Sequence, residues 1–372
     1  MKRLFCLLLV LCLVLAGCGS KTADIPEPSS EVPTTEATEP PTTEATEPPT
    51  TEATEPEPTE PPIPRNPLTG EVLEEAYTGR PVAFSLNNIS VCLPQHGLQH
   101  LDWMFEVETE GGITRCVGVM TDPAKAGAVG PIRSCRSYFL SLSVGYSAPL
   151  FHCGGSIYAD NNQYSISDSV ESWDHVNEKS ASSYFYRDNN RYKNLGYDWE
   201  HTLFTNGERM VKAMENSGYY DTDGEPLSYG YTFSEDVTLD GTPATTVKVP
   251  FRGDKVTTME YDEESGLYLA HQYGKDWVDG DTGENVAFRN ILVINAQQSN
   301  KKTKYGNHSF YDMLGSGSGY YAVDGTMVTI QWHRETVNDP YQFTYEDGTP
   351  ITLGVGTTYC AITDTSCVVS AK

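Results

Sequence analysis

Three arginines offer the clearest chemistry in this sequence. Arg115, Arg133 and Arg136 fall within 22 residues of one another in a chain whose formal charge is −26. A guanidinium fork grips phosphate or carboxylate in a bidentate fashion. The two later arginines follow Gly130-Pro131 and precede an apolar run with the spacing of a helix. On a helix they would share a face, and a helix start favours an anion. Asn87, Asn88, Ser134 and His152 supply polar groups to orient such a ligand. The competing reading is internal: the arginines pair with Asp102, Glu106, Glu108 or Glu110 as clamps within the fold.

Templates for catalysis are missing. There is no G-x-S-x-G elbow, no phosphate loop ending G-K-[ST] and no H-E-x-x-H. Cys153 follows His152 directly, and neighbours on a strand point to opposite faces, so this histidine would not activate that thiol. His175, His201, His271 and His333 lack metal-site spacing, and no cofactor or metal is called for. Asp276 to Glu284 resembles a calcium loop only loosely, because the regular carboxylate positions and closing glutamate are absent; a hairpin turn fits better. Beyond position 18 the cysteines are Cys92, Cys116, Cys135, Cys153, Cys360 and Cys367. Cys116 and Cys153 read as free thiols within apolar strands. For Cys360 and Cys367 the spacing allows a bridge across a terminal hairpin or two free thiols.

The elements that must hold these groups can be outlined. Pro81–Asn87, Trp103–Val107, Thr114–Met120 and Leu150–Cys153 read as buried strands, and 134–144 as a helix with Ser134 near its start. From about Pro226 the chain alternates as strands should, in Thr245–Val249, Leu267–Ala270, Asn290–Ile294, Met327–Trp332 and Tyr341–Tyr345. Asp-Gly, Ser-Gly and Thr-Gly pairs separate the runs. The expected fold is mixed α+β. Layered sheets with helices fill 63–220 and a β-rich part fills 221–372. The irregular polar stretch from Ala159 to Asn194 reads as a binding loop or a surface excursion.

The remainder of the chain is an address and a spacer. Lys2 and Arg3 precede an apolar core, Leu4 to Leu15, and then Leu15-Ala16-Gly17-Cys18. The core is shorter than the ~20 residues of a bilayer span and suits a secretory signal over 1–17. The small residues before Cys18 match a bacterial lipobox, so Cys18 is the expected lipidation site. A diacylglyceryl group carries two acyl chains, enough for stable anchoring. Residues 18–62 form the expected tether, which repeats TTEATEPP and carries 11 prolines and 11 acidic residues against one lysine. It has almost nothing to bury. Its reach runs from roughly 40 Å as a coil to roughly 140 Å extended. The signal accounts for +2 and the tether for −10, which leaves the folded body at −18. That acidity disfavours nucleic acid and electrostatic adhesion to anionic lipid.

Several stretches occur in a familiar order. They are Arg80-Pro-Val-Ala, Asn87-Asn88, Pro94-Gln-His-Gly-Leu98, Glu110-Gly-Gly-Ile-Thr-Arg115, Gly130-Pro-Ile-Arg-Ser-Cys-Arg136, Tyr138-Phe139, His152-Cys-Gly-Gly-Ser156 and Phe185-Tyr-Arg-Asp188. Later come Tyr261-Asp262, Gly266-Leu-Tyr268, Asp281-Thr-Gly283, Asn290-Ile-Leu-Val293, Gly317-Ser-Gly-Tyr-Tyr321, Asp324-Gly325 and Trp332. Together they resemble the YerB-like lipoprotein family, a domain of unknown function, over nearly all of 63–372. The chain departs from the pattern at Tyr192-Lys-Asn-Leu-Gly-Tyr197, where a Pro-His-Asn-like run is expected. The resemblance implies a mixed α/β fold on the extracytoplasmic face of a bacterial plasma membrane, and it implies no particular reaction. The expected partners are the membrane, through Cys18, and an anionic envelope ligand or an envelope protein. The best reading is a binding module for a phosphorylated lipid-linked precursor or wall polymer. An envelope phosphoryl or glycosyl-phosphate transferase and a non-enzymatic scaffold are the alternatives. The absence of a legible nucleophile–base pair argues against an enzyme.

Overall fold

The computed structural model describes residues 63–155, 173–220, 224–251, 255–303 and 306–372. The signal segment, Cys18 and the tether lie outside the described residues, as do Ser156 and residues 159–172 of the polar stretch. Three strands form the frame: β1 (Val82–Asn87), β2 (Trp103–Glu108) and β3 (Thr114–Met120), buried at every position. A strand covered on both faces has no solvent side, so its sequence need not alternate apolar with polar residues. Successive side chains still part to opposite faces. Ala83, Phe105, Val117 and Val119 join one apolar cluster with Tyr138 and Leu140. Phe84, Leu86, Met104 and Cys116 join another with Met259, Tyr268 and Phe288.

Among the described residues the principal sheet has 11 strands. β2 pairs antiparallel with β3, and β3 with β1. β1 then pairs in parallel with β4 (Leu150–His152), and β4 with β5 (His175–Asn177). On its other side β2 pairs in parallel with Thr358–Asp364, which pairs in parallel with Asn290–Ala296. Strands from 63–220 and from 221–372 therefore share one sheet, and Pro61–Lys372 forms one compact unit. The fold is strand-rich α+β, with the C-terminal part β-rich. A second sheet, led by the antiparallel strands Thr246–Pro250, Val256–Asp262 and Leu267–Gln272, supplies Val247, Met259 and Tyr268 to the cluster under Phe84.

The helix α1 spans Ser137–Gly145, three residues later than its periodicity predicts. Ile132 bridges Leu86, Arg133 N–H donates to Ser85 O (2.8 Å), and Cys135 N–H donates to Gly154 O (3.0 Å). These bonds pin 132–135 in extended form, and Arg136 becomes the N-cap with φ −127° and ψ 159°. Arg133 and Arg136 consequently do not share a helical face. Gly155 makes the approach possible, because a Cβ there would lie 2.5 Å from Cys135 O.

Two further expectations are resolved. All six described cysteines are free. Cys360 belongs to the cluster around Phe105, whereas Cys367 packs against the cluster around Phe84, so the sheet separates them and no bridge forms. Asp276–Glu284 is a turn: Gly283 N–H donates to Asp279 O (2.8 Å) and Asp279 N–H to Glu284 O (3.0 Å). The Asp279 carboxylate accepts from the N–H groups of Leu98 (2.5 Å) and Asp281 (2.7 Å).

Candidate functional site

The end of the sheet where β1 stops and β3 begins gathers four of the seven expected site residues. Asn87 lies opposite Arg115 in the β1–β3 register. Arg115 Nη1 donates to the carbonyl of Ser134 at 2.6 Å. Arg133 enters along the pinned 132–135 segment, and its Nη2 donates to Glu200 at 3.0 Å. Asn87 Nδ2 donates to His201 Nδ1 at 2.9 Å, which turns His201 Nε2 toward Glu200 Oε1 at 3.6 Å.

The charges here do not balance. Among the described residues the three arginines make two ion pairs, Arg133–Glu200 and Arg136–Glu110. Arg115 is 6% exposed, donates only to a backbone carbonyl, and its Nε has no partner; the buried Nε of Arg133 has none either. Burial, reinforced by the charges of Arg136 and Arg133, pushes the Arg115 guanidinium down to about 9. It still carries its charge at neutral pH.

The other three expected residues are committed elsewhere. Arg136 is held by Glu110: Nε donates to both carboxylate oxygens at 3.0 and 3.1 Å and Nη2 to Oε2 at 2.5 Å, while Nη1 donates to Cys135 O at 2.8 Å. Burial opposes the charged form of Glu110, but the hydrogen bonds and charge of Arg136 hold its carboxyl down at about 2. This is the internal clamp, so Arg136 is withdrawn from the ligand set.

Asn88 is buried in a different network. Its Nδ2 donates to Glu106 Oε1 at 2.8 Å and to Thr114 Oγ1 at 3.0 Å. Glu106, wholly buried, pairs with Lys255 at 3.2 Å and accepts from the hydroxyls of Thr114 (2.6 Å), Thr257 (2.7 Å) and Tyr359 (2.7 Å). Asn88 is a member of this closed centre and offers nothing to a ligand at the arginines.

His152 is likewise satisfied. The Gly154 carbonyl can only accept, so Nδ1 carries the proton of their 2.7 Å bond, and Nε2 accepts from His175 Nδ1 at 2.8 Å. Burial pushes His152 down to about 4, and it stays neutral. Cys153 Sγ lies 3.3 Å from Glu178, and burial, with that carboxylate, raises its thiol. The pair is not a thiolate–imidazolium dyad. Sequence reasoning missed Glu200, His201 and the Glu106–Lys255 pair, because each acts through a partner distant in the chain.

Residues 68–220 match the family model described as protein of unknown function (DUF3048), N-terminal domain, and residues 247–360 match its C-terminal domain. A Bacillus subtilis (strain 168) protein named "Putative lipoprotein YerB" is 28% identical over 287 residues, covering 72% of this chain and 77% of that protein. The crystal structure of the YerB protein from Bacillus subtilis superposes with a TM-score of 0.67 at 26% identity, covering 82% of this chain and 99% of that one. This chain belongs to the YerB-like DUF3048 family.

Proposed function

We propose that this family member is a lipid-anchored extracytoplasmic protein whose folded body binds an anionic envelope ligand without turning it over. The anchor would be Cys18, a reading supported by the lipobox-like Leu15-Ala16-Gly17-Cys18 and by the name of its Bacillus subtilis relative. The ligand set is Arg115 and Arg133, with Asn87 and Ser134 holding the backbone and side chains around them. The observation that carries the reading is the buried charge of Arg115, which forms an ion pair with no carboxylate among the described residues of a body that carries −18. A buried charge without a counter-ion is costly, and a bound phosphate or carboxylate would offset that cost. Binding is favoured over transfer because the groups nearby make poor nucleophiles. Burial pushes the Cys92 thiol up to about 12 and lowers His201.

The test is thermal unfolding of the full chain with inorganic pyrophosphate at fixed ionic strength. Pyrophosphate should raise the midpoint, with about 2.7 kcal/mol of stabilisation at one hundred times Kd. Arg133→Ala and Arg115→Lys should each shrink that shift. A shift of equal size in both variants would sink the reading.

A further inference from the structure

The hairpin that helps enclose Glu106 and Lys255 also forms one wall of a pocket on the outside of the fold. The strand Leu267–Gln272 turns through Tyr273-Gly274 into Lys275-Asp276. Both turn residues are left-handed, with φ +54° and +72°, in a turn where asparagine or glycine fits first place with least strain. A tyrosine stands there instead. The residue is 36% exposed, its hydroxyl donates to Asn88 O at 2.7 Å, and Lys255 Nζ lies 4.7 Å from the ring centre. With Ser90, Leu93, Pro94 and Trp277, the ring lines a pocket of about 360 Å³, within the ~300–1,000 Å³ usual for small ligands.

The second observation is Gln272, which is 2% exposed and part of the same wall. Lys255 can only donate, so Gln272 Oε1 must face it, at 2.5 Å. Its Nε2 is thereby turned away from the lysine, and it has no partner. A buried amide N–H without an acceptor is costly, and a ligand oxygen that reached it through this wall would satisfy it. Trp277 cannot serve as a competing donor, because its Nε1 is spent on Gln95 Oε1 at 2.9 Å.

We propose that this pocket binds a saccharide ring. A pyranose has an apolar C–H face and a rim of hydroxyls that both donate and accept. Tyr273, Leu93 and Pro94 supply apolar surface for the face. Gln272 Nε2 and Lys275 donate to the rim, Asp276 accepts from it, and Ser90 does either. Lys275 and Asp276 carry opposite charges, so the mouth does not select an anion. A purely apolar ligand would leave Gln272 unmatched. The site uses none of the arginines, so it fails or stands independently of the anion reading.

Saturation-transfer NMR and tryptophan fluorescence on the full chain test it, with methyl glucoside, N-acetylglucosamine, cellobiose and chitotriose as probes. At least one should bind saturably. Tyr273→Asn suits the turn and removes the ring, so affinity should fall by about tenfold or more. Tyr273→Phe keeps the ring and should stay within about threefold of the parent. Asp276→Asn, at a carboxylate that is 68% exposed and bonded to His271 Nδ1 at 3.0 Å, keeps an oxygen for that bond and should also weaken binding. No saturable binding by any probe overturns the proposal. So does full affinity in Tyr273→Asn and Asp276→Asn, or binding of an acidic proline-containing peptide in place of every sugar.

Discussion

Asn87 and Asn88 are neighbours in sequence and enter opposite worlds. Asn88 joins Glu106 and Lys255, where the Asn88 amide, the Thr114 hydroxyl and the Glu106 carboxylate from 63–220 meet Lys255, Thr257 and Tyr359 from 221–372. Asn87 joins the arginine end, where Arg115 and Arg133 each keep a buried Nε without a partner. The first centre is closed, with five groups on the oxygens of one carboxylate. Burying an ion pair costs desolvation that only complete hydrogen bonding repays. Its members come from both sequence segments, so it ties the sheet together. The second centre has donors to spare, which is the property expected of a place that meets a ligand.

The largest predicted effect breaks the closed centre. Lys255→Met leaves Glu106 buried and unpaired, and should cost about 3–5 kcal/mol in urea unfolding. Arg115→Met removes one of three mutually repelling cations and one bond to a carbonyl, so it should cost less than half as much. Equal costs would mean that the two centres are the same kind of object.

Much of the frame was legible because it rests on local pattern. The largely apolar runs within β1 and β3 and the alternation of Leu267–Gln272 are properties of a few adjacent residues. The start of α1 was not legible, since Ser85 and Gly154 decide it from 48 and 19 residues away in the chain, counted from Arg133 and Cys135 respectively. The site was legible in part. The arginines stood out against the acidic composition, and Glu110 was among the carboxylates weighed as their partners. Which arginine took Glu110 depended on the extended 132–135 segment, and the pairing of Glu106 with Lys255 depends on the packing of one sheet over another. A single sequence carries no signal for either.

The clamp within the arginine end gives the next effect. Glu110 titrates near 4.5 when unpaired and at about 2 in the fold. A depressed carboxyl contributes stability that is fully present above its unfolded value and is lost as pH falls through the folded one. The loss should therefore run from about pH 4.5 to about pH 2 and approach 3 kcal/mol. Glu110→Gln should remove that part of the acid slope, read as the difference between parent and variant unfolding across the pH series. An unchanged slope would place Arg136 among the unmatched cations and erase the contrast with Arg115.

The smallest effect on stability is the sharpest test of the open centre. Glu200 is 55% exposed and meets Arg133 at 3.0 Å, and pairs of this kind contribute roughly 0–1 kcal/mol. Glu200→Gln should accordingly leave the unfolding midpoint almost unmoved. If Arg133 serves a ligand, Glu200 competes with that ligand for the guanidinium and adds like-charge repulsion. Removing its charge should raise pyrophosphate affinity, and the gain should shrink as salt screens the site. If Glu200 instead holds Arg133 in place as a structural strut, the same substitution should lower affinity or leave it unchanged. The direction of this one change, in a variant whose fold is barely touched, separates a cation kept ready from a cation already spent.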